Sequence, residues 1–428
     1  MRRLISGVCL LAVLVASLTL SEARGQTPGQ AQAPKPLTWE EVKARFETNN
    51  PTLRAGEIGI DESKANEITA YLRPNPTLTI LADQIDPFSG GPSHGPFAYL
   101  LTSATLNYLH ERQHKRELRL ESAEKATGIT VSSQADLERT LLFNLRSAFV
   151  GMMQAKAILR LTVDNLNYWD QVLKISRDRF HAGDIAQIDL DRLELQRVQF
   201  ESDVQTAEVN LRTAKIQLLV LLNERTSTDQ FDVTGPFDFT NELAPLDEIR
   251  QAAIESRPDL KAALQSVDKA KTDHKLAIAN GSTDPTFAFD VGRNPPIDQY
   301  IGFGVSIPLR IFDRNQGEKT RTQIDISRNE RVANAAREQV FGDVDSAYAM
   351  VNSNIILLQP YRDRYLKQAE EIRDTITISY EHGAASLLDF LNAQAEYRTV
   401  QVNYLALIGS YLSAAGQLNL AVGREVIQ

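Results

Sequence analysis

Phe180-His181-Ala182-Gly183-Asp184-Ile185-Ala186-Gln187-Ile188-Asp189 has a second copy in this chain, Tyr380-Glu381-His382-Gly383-Ala384-Ala385-Ser386-Leu387-Leu388-Asp389. Glycine and aspartate hold the same places in both, at 183 and 383 and at 189 and 389. Each copy is a glycine break between long, proline-poor segments with helical patterning. A helix that stops at glycine and restarts at once is the tip of a helical hairpin. Two tips predict a duplicated unit whose function lies at the hairpin ends.

Downstream of the first tip, Leu193, Phe200, Val204, Ala207, Leu211, Ala214, Leu218 and Leu221 follow 3–4 spacing, broken only at Arg197. The same positions after the second tip are Ala393, Val400, Tyr404, Leu407, Tyr411, Ala414, Leu418 and Ala421, all apolar. A repeat near 3.5 residues over about four heptads predicts long helix-on-helix packing. Upstream of the first tip, proline is absent from 97 to 235. Residues 115–180 make a helix of about 100 Å at 1.5 Å per residue, far beyond a typical globular helix. The second long helix, near 317–380, contains Pro360, which removes a backbone hydrogen bond and bends the helix. The first half has no counterpart, so the hairpins are expected to differ in curvature.

Each half opens with two shorter helices. Leu37-Thr38-Trp39-Glu40-Glu41 predicts a start with Thr38 as N-cap and Glu41 completing a capping box. The break at Asn49-Asn50-Pro51 reappears at Ser256-Arg257-Pro258, with Leu53 matched by Leu260. Strand signals follow, at 77–83 and 97–108 in the first half and from Thr286 and 300–309 in the second. Phe287, Phe289 and Val291 alternate onto one face, and so do Ile301, Phe303, Val305, Ile307 and Leu309, with Gly302, Gly304 and Ser306 opposite. Such alternation over ~8–12 residues suits a membrane barrel strand. It also suits a soluble four-stranded sheet packed on a helix. Four strands cannot close a membrane barrel, which needs at least about eight, so a membrane reading requires oligomers.

The chain has 428 residues and a net charge of −9, which excludes a broad basic nucleic-acid surface. Arg2-Arg3 before an apolar run from Leu4 to Leu20, then small residues, reads as a secretory signal over 1–25. Cys9, the only cysteine, lies inside that run, so the mature chain is expected to lack a disulfide and a lipid anchor. Residues 26–36 are a Pro/Gln/Ala-rich lead-in. No second apolar stretch is read as long enough to span a bilayer as a helix.

His110-Glu111-Arg112-Gln113-His114 matches the H-E-x-x-H pattern of zinc peptidases, and Glu138 has the spacing of a third ligand. The motif sits at a strand-to-helix junction, its intervening residues are polar, and the turn at Phe312–Gly317 lacks histidines, so a solvated helix start is the better reading. His181 and His382 are offset by one position between the tips. No phosphate loop, Ser/His/Asp set or CxxC pair is present, and no metal site, cofactor or enzymatic activity is expected. Asp189 and Asp389 each follow their tip glycine by six positions. They are either surface residues on a first helical turn or, for Asp389 with Asn392, lumen groups forming a charged ring that favours cations and holds a constriction shut.

These features together resemble the TolC family of outer-membrane efflux proteins, and more closely its CzcC-like metal and multidrug branch. The likeness covers about residues 37–423. It rests on the duplicated helix–hairpin–long helix–tip–return helix order, on Ile307-Pro308-Leu309-Arg310-Ile311-Phe312-Asp313-Arg314-Asn315-Gln316-Gly317, on Tyr380-x-x-Gly383, and on Leu387-Leu388-Asp389-Phe390-Leu391-Asn392-Ala393-Gln394. The resemblance implies a mostly α chain with a small β part. Its duplicated long helical hairpins would form an α-barrel, and its four strands would join a trimeric twelve-strand β-barrel in the outer membrane. It further implies a homotrimer in contact with outer-membrane lipid, a periplasmic adaptor and an inner-membrane pump of RND type. Phe180, Gly183, Tyr380 and Gly383 become adaptor-docking tips, and Asp389, Asn392 and Asp189 aperture residues. Only one of Asp389 and Asn392 is an acid, and Ala385 stands where some members have a gating arginine. The expected plan is a first repeat at 37–223, a linker at 224–245, a second repeat at 246–423 and a tail at 424–428. A type I secretion conduit for polypeptides and a soluble periplasmic helical scaffold are the alternatives.

Overall fold

The computed structural model describes residues 35–85, 95 and 97–427. The expected signal segment, most of the lead-in and the loop 86–94 lie outside the described residues.

α1 (Trp39–Asn49) starts as its sequence dictates: the Glu41 amide donates to Thr38 Oγ1 and the Thr38 amide to Glu41 Oε2, closing the capping box. α2 (Pro51–Tyr71) follows without a loop because Asn50 Oδ1 accepts from the Thr52 and Leu53 amides at 2.9 and 3.1 Å, while Pro51 needs no partner. The second copy, α5 (Leu246–Ser256) and α6 (Pro258–Asn280), keeps the proline but puts Arg257 in the place of Asn50. Arg257 is buried and pairs with Asp259 and Asp343, each at 2.7 Å, and donates to the Ala421 carbonyl.

Four strands form one antiparallel sheet in chain order: β1 (Thr77–Asp83), β2 (Leu101–Leu109), β3 (Thr286–Asn294) and β4 (Ile297–Ser306). β2 begins four residues later than its sequence suggests, after a turn at 97–99. β4 begins earlier, at Ile297 against Asn294 across the tight Pro295-Pro296 turn, and ends at Ser306 rather than Leu309. Pro308 has no N–H to donate and restricts Ile307, so the ladder stops there.

α3 (Lys115–Ala182) is 68 residues long, about 100 Å. Its first part packs on α2 and α6 through polar pairs such as Thr127 with Ser63 and Ser132 with Gln265. Its last part packs on α4 (Gln187–Leu221), tied by Arg177–Glu194 and Arg197–Asp170. The second hairpin is α7 (Gln316–Pro360), a π-helical turn (Tyr361–Tyr365), α8 (Leu366–Glu381) and α9 (Leu387–Val422). The missing amide of Pro360 breaks the regular ladder, and the chain continues with one wider turn, which α3 lacks. α9 is apolar and long enough to cross a membrane, unlike the sequence expectation, but half of its most apolar window is buried within the protein. It is a core helix: Ile408, Tyr411, Ala414, Ala415 and Leu418 pack with α5 and α7.

Segment 224–245 lies along the helices. Leu37 pairs with Val233, and Phe231, Val233 and Phe239 are buried.

Candidate functional site

The sheet sorts its side chains by register. Leu78 faces Leu106, Leu106 faces Phe289, and Phe289 faces Phe303; one step away Tyr108, Phe287 and Val305 continue the row. All these residues point to one face, and many are open to solvent in the protomer, Ile80 by 77% and Phe303 by 84%. The opposite face carries mostly small or polar groups: Thr79, Thr105, Asp290 and Gly302 in one row, Thr77, Asn107, Ala288 and Gly304 in another. An exposed apolar face this large is foreign to a soluble monomer and natural for a wall between lipid and water. The soluble-scaffold alternative fails on this observation.

The tips lie at the far end of the helices. Gly183 and Gly383 have φ of +87° and +76°, with open space where a Cβ would stand, so the backbone alone requires glycine. The Asp184 amide donates back to the Arg179 carbonyl at 2.9 Å, and the Ala384 amide to the Ser379 carbonyl at 2.8 Å. Phe180 is half-buried and Tyr380 buried. His181 is exposed, and His382 Nδ1 lies 2.9 Å from the Ile378 carbonyl.

Asp389 and Asn392 are both exposed, three residues apart on one side of α9. Asp389 also closes a capping box: the Ser386 amide donates to Asp389 Oδ2 at 3.2 Å and the Asp389 amide to Ser386 Oγ, whose hydroxyl in turn donates to Asp389 Oδ2 at 2.7 Å. At the first tip Ala186 stands at the cap and offers no side-chain bond, leaving Asp189 half-buried. Burial pushes the Tyr380 phenol above its ordinary range; the Arg179 guanidinium pulls it back and Asp189 pushes it up again. Tyr380 therefore brings the second tip next to Asp189 of the first. Its hydroxyl is buried with no hydrogen-bond partner among the described residues.

Sequence reasoning missed what joins the two hairpins. Phe200 of α4 stacks on Trp169 of α3 with centroids 4.9 Å apart, Trp169 on Phe390 of α9 at 5.9 Å, and Phe390 on Tyr380 of α8 at 4.9 Å. Four rings from four helices make one continuous ladder. Trp169 is fully buried and its Nε1–H donates to the Leu193 carbonyl at 3.1 Å. Arg398 lies 5.1 Å from the Phe200 ring and Arg179 5.3 Å from the Tyr380 ring, a cation against each end ring. The available signal was Trp169 itself, one of only two tryptophans in the sequence.

The H-E-x-x-H stretch precedes α3 rather than lying on it. Glu111 is held by Arg119 at 2.5 and 2.9 Å, His114 is exposed, and Glu138 sits about 35 Å further along α3. Two imidazoles one helical turn apart, the geometry zinc needs, are not formed.

Residues 249–424 match the family model described as "Outer membrane efflux protein". The chain is 24% identical to the cobalt-zinc-cadmium resistance protein CzcC of Cupriavidus metallidurans, over 92% of this chain and 91% of that protein. It is 23% identical to the outer membrane protein TolC of Escherichia coli, over 89% and 82%. Among solved structures, CusC superposes with a TM-score of 0.76 at 18% identity, covering 94% of this chain and 96% of that one. The outer membrane protein VceC of Vibrio cholerae superposes at 0.74 and 14% identity, covering 91% and 97%. The lipid-suited sheet, the paired helical hairpins and these likenesses agree on an outer membrane efflux channel of the TolC type, not an enzyme.

Proposed function

We propose that this channel works as a homotrimeric exit duct that passes small solutes, metal ions or drugs, from the periplasm to the exterior. Its partners are those of a tripartite efflux system, an adaptor and an inner-membrane pump; an RND-type pump is part of the proposal. The observation that carries the reading is the open sheet. β1 and β4 have unpaired outer edges, and β4, with ten residues, spans about 25 Å when tilted by about 40°. Four strands leave those edges bare, whereas three copies joined β4 to β1 give a closed twelve-strand wall.

α4 supports the same assembly. Its seam residues Leu193, Phe200, Val204, Ala207 and Leu218 are buried inside the protomer. On the opposite side Ile188, Leu195, Val198, Val209, Ile216 and Val220 are exposed, within an arc of about 80° at 100° per residue. A helix with two apolar sides is built to be covered on both, here by the next protomer.

The repeat boundaries at 37–223 and 246–423, with a linker at 224–245 and a tail at 424–428, belong to this proposal, as does a secreted precursor with its signal at 1–25. The parallel order of helices and strands supports it. Asp389 and Asn392, on the exposed side of the α9 start, are assigned to the closed aperture with Asp189 behind them. Phe180, Gly183, Tyr380 and Gly383 are assigned to adaptor docking. The likeness to a cobalt-zinc-cadmium resistance protein over most of the chain supports divalent cations as cargo.

The test is purification from outer membranes in mild detergent, followed by mass measurement and planar-bilayer recording. A trimer with defined conductance steps is expected. Recovery of a water-soluble, non-conducting monomer without detergent would overturn the reading.

A further inference from the structure

Where β2 meets α3 there is a cleft of about 420 Å³ lined by Arg73, Tyr108, His110, Arg112, His114 and Arg116, among others. Because the strands cross the membrane and the helices stand in the periplasm, this cleft lies at the periplasmic edge of the lipid-facing wall. The two acidic side chains that line it are engaged: Glu111 by Arg119, and Glu117 by Arg116 at 3.2 Å. Lys115 is committed to Asp284 at 2.6 Å, and Arg116 also lies over the Tyr71 ring at 4.2 Å. Among the described residues the guanidiniums of Arg73 and Arg112 have no partner, and both residues are exposed. In a chain of net charge −9, two unpaired guanidiniums beside an exposed histidine are a local surplus of positive charge.

The cleft opens onto the apolar row. Tyr108 belongs to that row, and the His110 ring meets Phe287 edge-on at 6.5 Å. A ligand lying here meets cations at one end and a continuous hydrocarbon-compatible surface at the other. The second repeat has the same kind of rim, with Phe312 90% exposed beside Arg314 in the turn before α7.

We propose that this cleft holds the phosphate headgroup of an anionic glycerophospholipid from the periplasmic-facing leaflet, with Arg73 and Arg112 on the phosphate and the acyl chains along Tyr108 and Phe287. The guanidinium fork suits phosphate oxygens, and the lipid-facing wall supplies the apolar half of the site. The H-E-x-x-H stretch thereby has a use that needs no metal: its strand end and turn present His110, Arg112 and His114 to the lipid boundary. The inference rests on the membrane-wall reading of the sheet.

The test uses the full-length channel, delipidated in detergent, with phosphatidylglycerol, phosphatidylcholine or inorganic phosphate added, and retained lipid read by native mass spectrometry. Phosphatidylglycerol is expected to be retained over phosphatidylcholine. Arg73→Gln with Arg112→Gln should weaken that retention about tenfold or more, the loss expected for a charge-assisted contact. Lysine at both positions should restore part of it. Retention unchanged in the glutamine variant, or equal for the two lipids, overturns the proposal. So does displacement of the lipid by inorganic phosphate at equal concentration, which would mark a site for the free anion. Conductance is recorded on the same preparations. A wild-type channel that conducts normally while failing to discriminate the two lipids defeats only this inference, whereas a wild-type protein that neither inserts nor conducts defeats the channel itself.

Discussion

Trp169 and Phe390 meet at the one rung of the aromatic ladder where the first hairpin touches the second, and exchanging each for leucine isolates that rung. Both side chains are essentially inaccessible. Truncation of such residues to alanine costs about 3–5 kcal/mol, and leucine, which refills part of the volume, should cost about 2–3 kcal/mol at either site. A stacked pair is worth about 0.5–1.5 kcal/mol beyond its buried area. The double variant should therefore be less damaged than the sum of the singles by that amount. Guanidinium unfolding of the detergent-solubilised protein, followed by far-UV circular dichroism, measures all four corners of the cycle. The ladder also holds the tips together, so each single variant should raise the leak of the closed channel in planar bilayers. Additivity within about 0.3 kcal/mol, together with wild-type leak, would refute the idea that this rung couples the hairpins.

Further outcomes follow from other sites. Gly383→Ala and Gly183→Ala should each cost about 1–2 kcal/mol, the strain of a left-handed L-residue with no clash. Gly423→Ala should cost more in the same guanidinium unfolding assay, because φ is +86° and the new Cβ also meets the Arg257 and Ser256 backbone at 3.2 Å. Asp389→Ala should raise single-channel conductance if its charge lines the aperture. Ser386→Ala, which removes the cap hydroxyl and keeps the carboxylate, should leave conductance unchanged, and an equal rise in both would assign the effect to the cap. Arg257→Gln breaks pairs with two carboxylates that are each about one-third exposed, so about 2–3 kcal/mol is expected rather than the larger loss at a fully buried pair.

That last effect depends on pH. Burial pushes Asp259 upward, but the hydrogen bonds and charge of Arg257 prevail and hold it below its ordinary value of 3.8. A depressed carboxylate contributes stability that is complete above the unfolded value and is lost as pH falls through the folded one. The gap between wild type and Arg257→Gln should thus be widest near neutral pH and narrow below about pH 4. A gap that is constant down to pH 3 in acid-titrated denaturation would show that the Asp259 carboxylate contributes nothing.

Much of this architecture is legible in the sequence because it is carried by periodicity and by glycine. The 3–4 repeat from Leu193 to Leu221 needs no long-range information to predict a packed helix. The alternation of Phe287, Phe289 and Val291 likewise fixes one face of a strand. What stays hidden depends on distant partners. Nothing local to Phe200 or Phe390 says that Trp169 will lie between them, because the ladder exists only once four helices are packed. Arg257 reads as an ordinary charged residue until Asp343, 86 positions later, is brought beside it. Strand ends shifted for a local reason: Pro308 stopped β4, although the apolar pattern continues to Leu309. Asp389 illustrates a different limit, since spacing from Gly383 gives its position on α9 but not its bond to Ser386.

The fully buried indole also makes the protein optically addressable. Trp39 and Trp169 are its only tryptophans, and Trp39 packs on Phe149 and under Arg146. Phe149 lies on α3 twenty residues before Trp169, about 30 Å nearer the membrane end. Substituting phenylalanine at position 39 leaves a single tryptophan, excited selectively at the red edge of its absorption, seated between Phe200 and Phe390 and shielded from water. Its emission maximum and its quenching by iodide then report separation of the two hairpins directly, with no dye attached and no cysteine introduced.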